Sequence, residues 1–540
     1  MIQLIPKKIS PLAIISTLIA FLFSLPLIYI FLRLITEQST LITIIYSTEI
    51  FKPLIRTVLL GVTVTVFSLL LGTSFAWLIA RTNIAMKSIL QILIPLPLAI
   101  PSFIIASTYV IAFRPSGKIY DFLTILKLDN IIAFEGFIGA CVSLILITYP
   151  YIYLPTLARL SMLNTNAEEN AKMLQQRDFS IFYKITWPQI SNAAFAGSVL
   201  TFLYVISDFG VVQLLGYPNL ATSIYANRLA SPTTSFMLSF ILAIVAISII
   251  IIEKKYFSKK NTFFNAPGGL SKIINLGKYK YIFAMLTLII ISFALFIPVI
   301  ILISWVYKAS LFSNFGYTTL GSFSLMNELA EQYQTIVNTF IVAIITGLIA
   351  TITMVPVAYY VQKNQNILST VINGLITSMF AIPGLVIALA AVRFTLHISF
   401  FEFLYGTAPV LIFAYLITFG AQSLRSIYAG ISVLDTNLEY LAKTLGASSW
   451  KNVTKIQLPL LLNPILAGFG LVILSTIKEL PVTLLASPVG FKTLATDVWI
   501  DYDDGFLGAA AVSSLCLILV SLIFNFFLVI RTNKYKNVSS

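Results

Sequence analysis

Long apolar runs alternate with short polar connectors along nearly the whole chain, and the runs fall into two sets of six. The first set covers Pro11 to Leu34, Thr57 to Ala80, Ile89 to Phe113, Phe137 to Leu157, Ala193 to Leu215 and Phe236 to Ile252. The second covers Tyr281 to Trp305, Thr339 to Val361, Leu368 to Val392, Ala408 to Leu424, Ile465 to Leu485 and Leu507 to Ile530. Crossing roughly 30 Å of hydrocarbon takes about 20 residues of helix, and a helix satisfies its own backbone there. The pattern predicts an all-α polytopic membrane protein of about 12 transmembrane helices. The first run follows Lys7 and Lys8, is too long for a signal-peptide core and lacks a small-x-small cleavage pattern, so a retained span is expected.

The two sets are repeats. Thr57 to Ala76 matches Thr339 to Ala358, and Ala99-Ile100-Pro101 recurs as Ala381-Ile382-Pro383, all at one spacing. A polar stretch, Asn164 to Pro188, recurs as Asp435 to Pro459, sharing Thr165/Thr436, Glu168/Glu439, Ala171/Ala442, Leu174/Leu445, Lys184/Lys455 and Pro188/Pro459 among others. Residues 1–252 are read as the first six-span repeat, 253–280 as a basic linker and 281–540 as the second repeat. An even number of spans per repeat makes the two insert in parallel, related by an axis along the membrane normal.

Composition agrees: 58% of residues are hydrophobic and 10% charged, far from the quarter or so of a soluble domain. The net charge of +14 does not point to nucleic acid. Most Lys and Arg fall in loops that an inside start places in the cytoplasm, as the positive-inside rule requires, leaving the outer segments acidic. Both termini are therefore expected in the cytoplasm, and the basic stretch Lys254 to Lys280, with its Pro267-Gly268-Gly269 turn, is expected to face membrane lipids. Cys141 and Cys516 lie inside apolar runs and read as buried thiols, and His397, the single histidine, as structural or interfacial.

Each duplicated polar stretch lies between the fourth and fifth spans. Thr165 with Glu168, and Thr436 with Glu439, have the spacing of capping boxes, so each should open a short surface helix. In the second copy Gly446 can end the helix in the left-handed conformation, and Pro459 should prevent unbroken continuation into the fifth span. Nowhere does G-x4-G-K-S/T occur, so no nucleotide cofactor is expected on this chain and energy must come from a partner.

These loops resemble the E-A-A-x3-G-x9-I-x-L-P signature of the permease subunits of binding-protein-dependent ABC importers. The second copy runs from Glu439 through Ala442 to Gly446 and closes with Ile456-Gln457-Leu458-Pro459; the first runs from Glu168 and Glu169 through Ala171 to Gln175 and closes at Pro188. The resemblance implies a bacterial inner-membrane transport subunit, not an enzyme, whose two loops dock an ABC ATPase each and which receives substrate from a periplasmic binding protein. Tyr440 stands at the usual glutamate and Gln175 at the usual glycine, so the first loop is expected to turn differently. Ser207-Asp208-Phe209-Gly210, Lys478-Glu479-Leu480-Pro481 and Thr493-Leu494-Ala495-Thr496-Asp497-Val498-Trp499 further resemble ferric-iron permeases, with thiamine, polyamine and aminoethylphosphonate permeases as relatives.

Asp208 and Glu479 occupy matching positions in the fifth spans. Acids at membrane depth need a polar cavity or a partner. They either form an oxygen-rich waypoint on the translocation path, or set packing by pairing with Lys478 or Arg393 or by capping helix ends. The outer loop before the last span carries Asp497, Asp501, Asp503 and Asp504, which are either solvated or form a docking surface for a metal-loaded binding protein; no stable metal site is expected. A secondary transporter would share the span count but has no use for twin docking loops.

Overall fold

The computed structural model describes residues 11–36, 48–115, 117–125, 134–163, 168, 171, 173–175, 178–256, 273–314, 325–364, 366–380, 382–433, 444 and 448–534. Among the described residues there are nine helices long and apolar enough to cross a membrane, and three bent helix pairs that raise the number to as many as 12. They lie on the runs expected from hydropathy. Helix is the only regular structure among them, apart from an isolated bridge between Thr82 and Ile274. The protein is an all-α polytopic membrane protein.

The third runs are not straight. Lys87–Ala99 meets Ser102–Phe113 at 91°, and Ile367–Met379 meets Gly384–His397 at 102°. The repeated prolines explain both bends: Pro101 and Pro383 offer no backbone N–H, and Ile100 before Pro101 is extended, with ψ of 125°.

The chain forms two compact units, neither of which is one sequence repeat. One comprises Met1–Gln38, Ala330–Asp497 and Ile523–Ser540; the other comprises Ser39–Leu329 and Val498–Leu522. The first span of each repeat thus belongs to the unit built mainly from the other repeat. In the first unit, Pro11–Thr36 packs on Ile367–Met379 and Gly384–His397, where the Tyr29 hydroxyl lies 3.0 Å from Nδ1 of His397. In the second, the helices from Tyr279 to Asn314 pack on the bent third span. There the wide turn Ser292–Phe296 presents the Phe293 carbonyl, which accepts a hydrogen bond of 2.5 Å from the buried Tyr109 hydroxyl. Connectivity does not choose these partners; between apolar helices close packing does.

Within the second unit, Thr48–Arg81, Gly136–Met162 and Trp187–Ser207 form the tightest cluster. Gly72 and Gly197 permit it: a Cβ on Gly72 would lie 2.7 Å from the Tyr149 carbonyl oxygen, and one on Gly197 2.6 Å from that of Tyr151. Small residues let helix backbones approach in this way.

Candidate coupling loops and translocation path

The first polar loop is anchored inward by its acid. Glu168 accepts a 2.9 Å hydrogen bond from the Thr186 hydroxyl and pairs at 3.5 Å with Arg81, which is 2% exposed at the end of Thr48–Arg81. Ala171 is buried, whereas Met173 and Leu174 are 82% and 75% exposed. Gln175 then adopts φ of 53°, the left-handed conformation that a glycine would take without strain. The expectation of a different first turn is therefore corrected: the glycine-type turn is kept, at a cost of about 1 to 2 kcal/mol. Of the remaining loop residues singled out from sequence, Glu169, Glu439, Ala442 and Gly446 lie outside the described residues.

Pro459 is followed by the expected break, whereas the matching Pro188 does not interrupt its span. Phe182–Thr186 and Val453–Gln457 form π-helical turns at matching positions, and each proline stands two residues after its π-turn. Phe182–Ser207 runs as one span. The second copy kinks by 51° between Leu460 and Leu462. Thr186, which holds Glu168, has Gln457 as its counterpart, and Gln457 Oε1 accepts a 2.5 Å bond from the Tyr359 hydroxyl.

The fifth spans break where the acids stand. Trp187–Ser207 stops, Asp208 is extended, and Gly210–Leu214 begins anew; likewise Leu462–Ile477 stops before Pro481–Ala486. Each restart exposes backbone donors at membrane depth, where an unmet donor costs several kcal/mol. Asp208 Oδ1 accepts from Val211 N at 2.8 Å, and Glu479 Oε1 from Val482 N at 3.3 Å. Each carboxylate thus makes a helix-capping bond, one of the roles that the sequence offered.

The caps differ in a compensated way. The Ser102 hydroxyl donates to Oδ2 of the buried Asp208. Its counterpart in the second repeat is Gly384, where a Cβ would lie 3.0 Å from Glu479 Oε1 and 2.7 Å from Val482 Cγ2. Serine with the short acid, glycine with the long acid: the extra methylene of Glu479 needs the space that a serine side chain would take. Beside Asp208, the buried Phe209 ring packs at 4.5 Å from Tyr225 and 5.6 Å from Trp499, an aromatic cluster that hydropathy alone does not reveal.

The segment carrying the outer aspartates is not a loop. Asp497, Asp501 and Asp503 lie on the helix Leu494–Asp503, followed by Asp504 and a turn at Gly505 with φ of 86°. Asp497 is 5% exposed; it accepts from Gln332 Nε2 at 2.7 Å and pairs with Lys492 at 3.3 Å. Asp503 and Asp504 are exposed. The motif Thr493-Leu494-Ala495-Thr496 has a structural counterpart, Asn219-Leu220-Ala221-Thr222, that the duplicated letters alone did not disclose. In both, the residue before the helix bonds to the one three positions on, and the leucine N–H donates at 2.9 Å to a threonine hydroxyl of the second span, Thr57 or Thr339.

The family model of the binding-protein-dependent transport system inner membrane component matches twice, at residues 68–253 and 354–536. The chain is similar to the Fe(3+)-transport system permease protein FbpB 2 of Haemophilus influenzae, at 28% identity over 94% of this chain and 96% of the relative. It is also similar to the ferric transport system permease protein FbpB of Actinobacillus pleuropneumoniae, at 24% identity over 94% of this chain and 76% of the relative. The molybdenum transport system permease protein ModB of Azotobacter vinelandii is 25% identical over 28% of this chain and 66% of its own length. With that domain present twice and spanning more than half its length, the chain belongs to the binding-protein-dependent transport system inner membrane components and is a permease that unites two such domains.

Proposed function

We propose that this permease carries ferric iron, delivered by a periplasmic binding protein, across the bacterial inner membrane, driven by two ABC ATPase subunits docked on the loops Asn164 to Pro188 and Asp435 to Pro459. Both termini lie in the cytoplasm with those loops. The observation that carries the iron assignment is the nearly end-to-end similarity to a ferric permease that also spans both repeats. The molybdenum and sulfate relatives cover between 28% and 36% of the chain.

Met173 and Leu174 supply the apolar contact in the first docking loop, and Glu168 holds that loop against Arg81 so that motion of the ATPase reaches the end of the second span. Asp208 and Glu479 act on the path by holding open the breaks in the fifth spans, whose irregular backbone is tolerated only where it lines protein or water. Asp501, Asp503 and Asp504 belong to the surface that receives the binding protein, whereas Asp497 holds the helix that presents them. Uptake by the reconstituted complex tests the substrate: ferric ion should accumulate while molybdate, sulfate, thiamine and putrescine do not. Transport of one of these with no iron movement refutes the assignment.

A further inference from the structure

The end of the second span farthest from Arg81 borders a cavity of about 340 Å3, lined by Ile50, Lys52, Arg56, Ser223, Asn227 and Thr234 among others. That volume falls in the range of small-molecule sites, about 300 to 1,000 Å3. Lys52 and Arg56 stand one helical turn apart, a like-charge spacing that is unfavourable by itself. Neither forms an ion pair among the described side chains; Arg56 donates a long 3.5 Å bond to the Pro218 carbonyl.

The second repeat shows what such a place holds when it is complete. Position by position, Gln332 stands for Ile50, Gln334 for Lys52, Asn338 for Arg56, Asp497 for Ser223 and Asp501 for Asn227. There the Asp497 carboxylate occupies the space, held by Gln332 and Lys492, and Asn338 donates to the Lys492 carbonyl as Arg56 does to that of Pro218. The first repeat has exchanged both aspartates for neutral residues and two of the three amides, Gln334 and Asn338, for cations. Among the described residues that line it, the cavity carries two positive charges, hydroxyl and amide groups, and no carboxylate.

We infer that this cavity binds a phosphate-type anion in the place that Asp497 fills in the other repeat. Phe51, Ile55 and Leu59 are exposed on the same helix beside the cations and offer an apolar track for acyl chains. The phosphodiester of a membrane phospholipid therefore suits the site, with its headgroup between Lys52 and Arg56.

The full-length permease, in nanodiscs of phosphatidylcholine containing a minority of phosphatidylglycerol, tests this by native mass spectrometry of retained lipid. Replacing the cations by their counterparts, K52Q with R56N, should lower phosphatidylglycerol retention about 30-fold, since each cation near a membrane surface contributes roughly a factor of five. S223D, which restores an internal carboxylate, should displace the lipid while leaving the melting temperature at or above that of the parent. Loss of lipid in both variants that inorganic phosphate does not reproduce supports the headgroup; displacement by millimolar phosphate assigns the site to the free anion and overturns the lipid as its source. Equal phosphatidylglycerol retention by parent, K52Q/R56N and S223D overturns the anion site, as does a binding defect seen only for an acidic protein partner.

Discussion

Replacing Gly384 by serine puts into the second repeat the residue that the first repeat carries at Ser102. The Cβ alone would stand 2.7 Å from Val482 Cγ2 and 3.0 Å from Glu479 Oε1. Carbon contacts are optimal near 3.5 to 4.0 Å, so the helix Gly384–His397 or the cap must give way by roughly 1 Å. Forcing atoms into a packed site of this kind costs about 1 to 3 kcal/mol. E479D alone should cost about 1 kcal/mol, because the shorter acid reaches Val482 N less well. Together they recreate the serine and aspartate arrangement of the first repeat, so the double variant should recover at least about 1 kcal/mol relative to the sum of the single losses. The measurement is a double-mutant cycle on the purified permease in detergent, by thermal unfolding followed with tryptophan fluorescence, alongside ATP-driven uptake. A G384S protein as stable as the parent, or losses that simply add in the double variant, would refute compensation between the two positions.

Three further outcomes are expected. M173S with L174S should leave the permease folded and membrane-inserted while weakening ATPase binding about 10-fold or more, as loss of two exposed apolar anchors does at an interface; unchanged ATPase co-purification removes those residues from the docking surface. E168A should destabilise by about 2 kcal/mol because it leaves the 2% exposed Arg81 guanidinium without its carboxylate, and R81M/E168A should recover most of that loss, which unfolding of the three proteins checks. Q175G should stabilise the protein by about 1 kcal/mol by relieving the left-handed turn, and a lowered melting temperature would contradict the strain assigned there.

Span number and placement are legible in the sequence because twenty apolar residues in a row have few other uses, and the twin loops because polar islands stand out between them. The bends at Pro101 and Pro383 were visible as a repeated Ala-Ile-Pro but not as angles, since proline announces a lost hydrogen bond and says little about the direction of the chain after it. The exchange of first spans was not legible: Pro11 to Leu34 and Tyr281 to Trp305 are apolar on all sides, and shape alone selects their neighbours. Asp208 and Glu479 were singled out by cost, yet their capping role needed the positions of Val211 N and Val482 N. The pairing of Ser102 with Asp208 and of Gly384 with Glu479 was present in the letters, but it joins two segments whose repeats run at different spacings. Asp497 looked like one of four equivalent acids until Gln332 and Lys492 were placed around it.

The central claim is that this permease imports ferric iron only when an ATPase works on its duplicated loops. Iron accumulation in proteoliposomes containing the permease, its ATPase and the loaded binding protein tests it most directly. Accumulation is predicted to require ATP hydrolysis and to fall to background when the ATPase is omitted, whatever proton or sodium gradient is imposed. Iron uptake that persists without the ATPase and follows an ion gradient would contradict the claim.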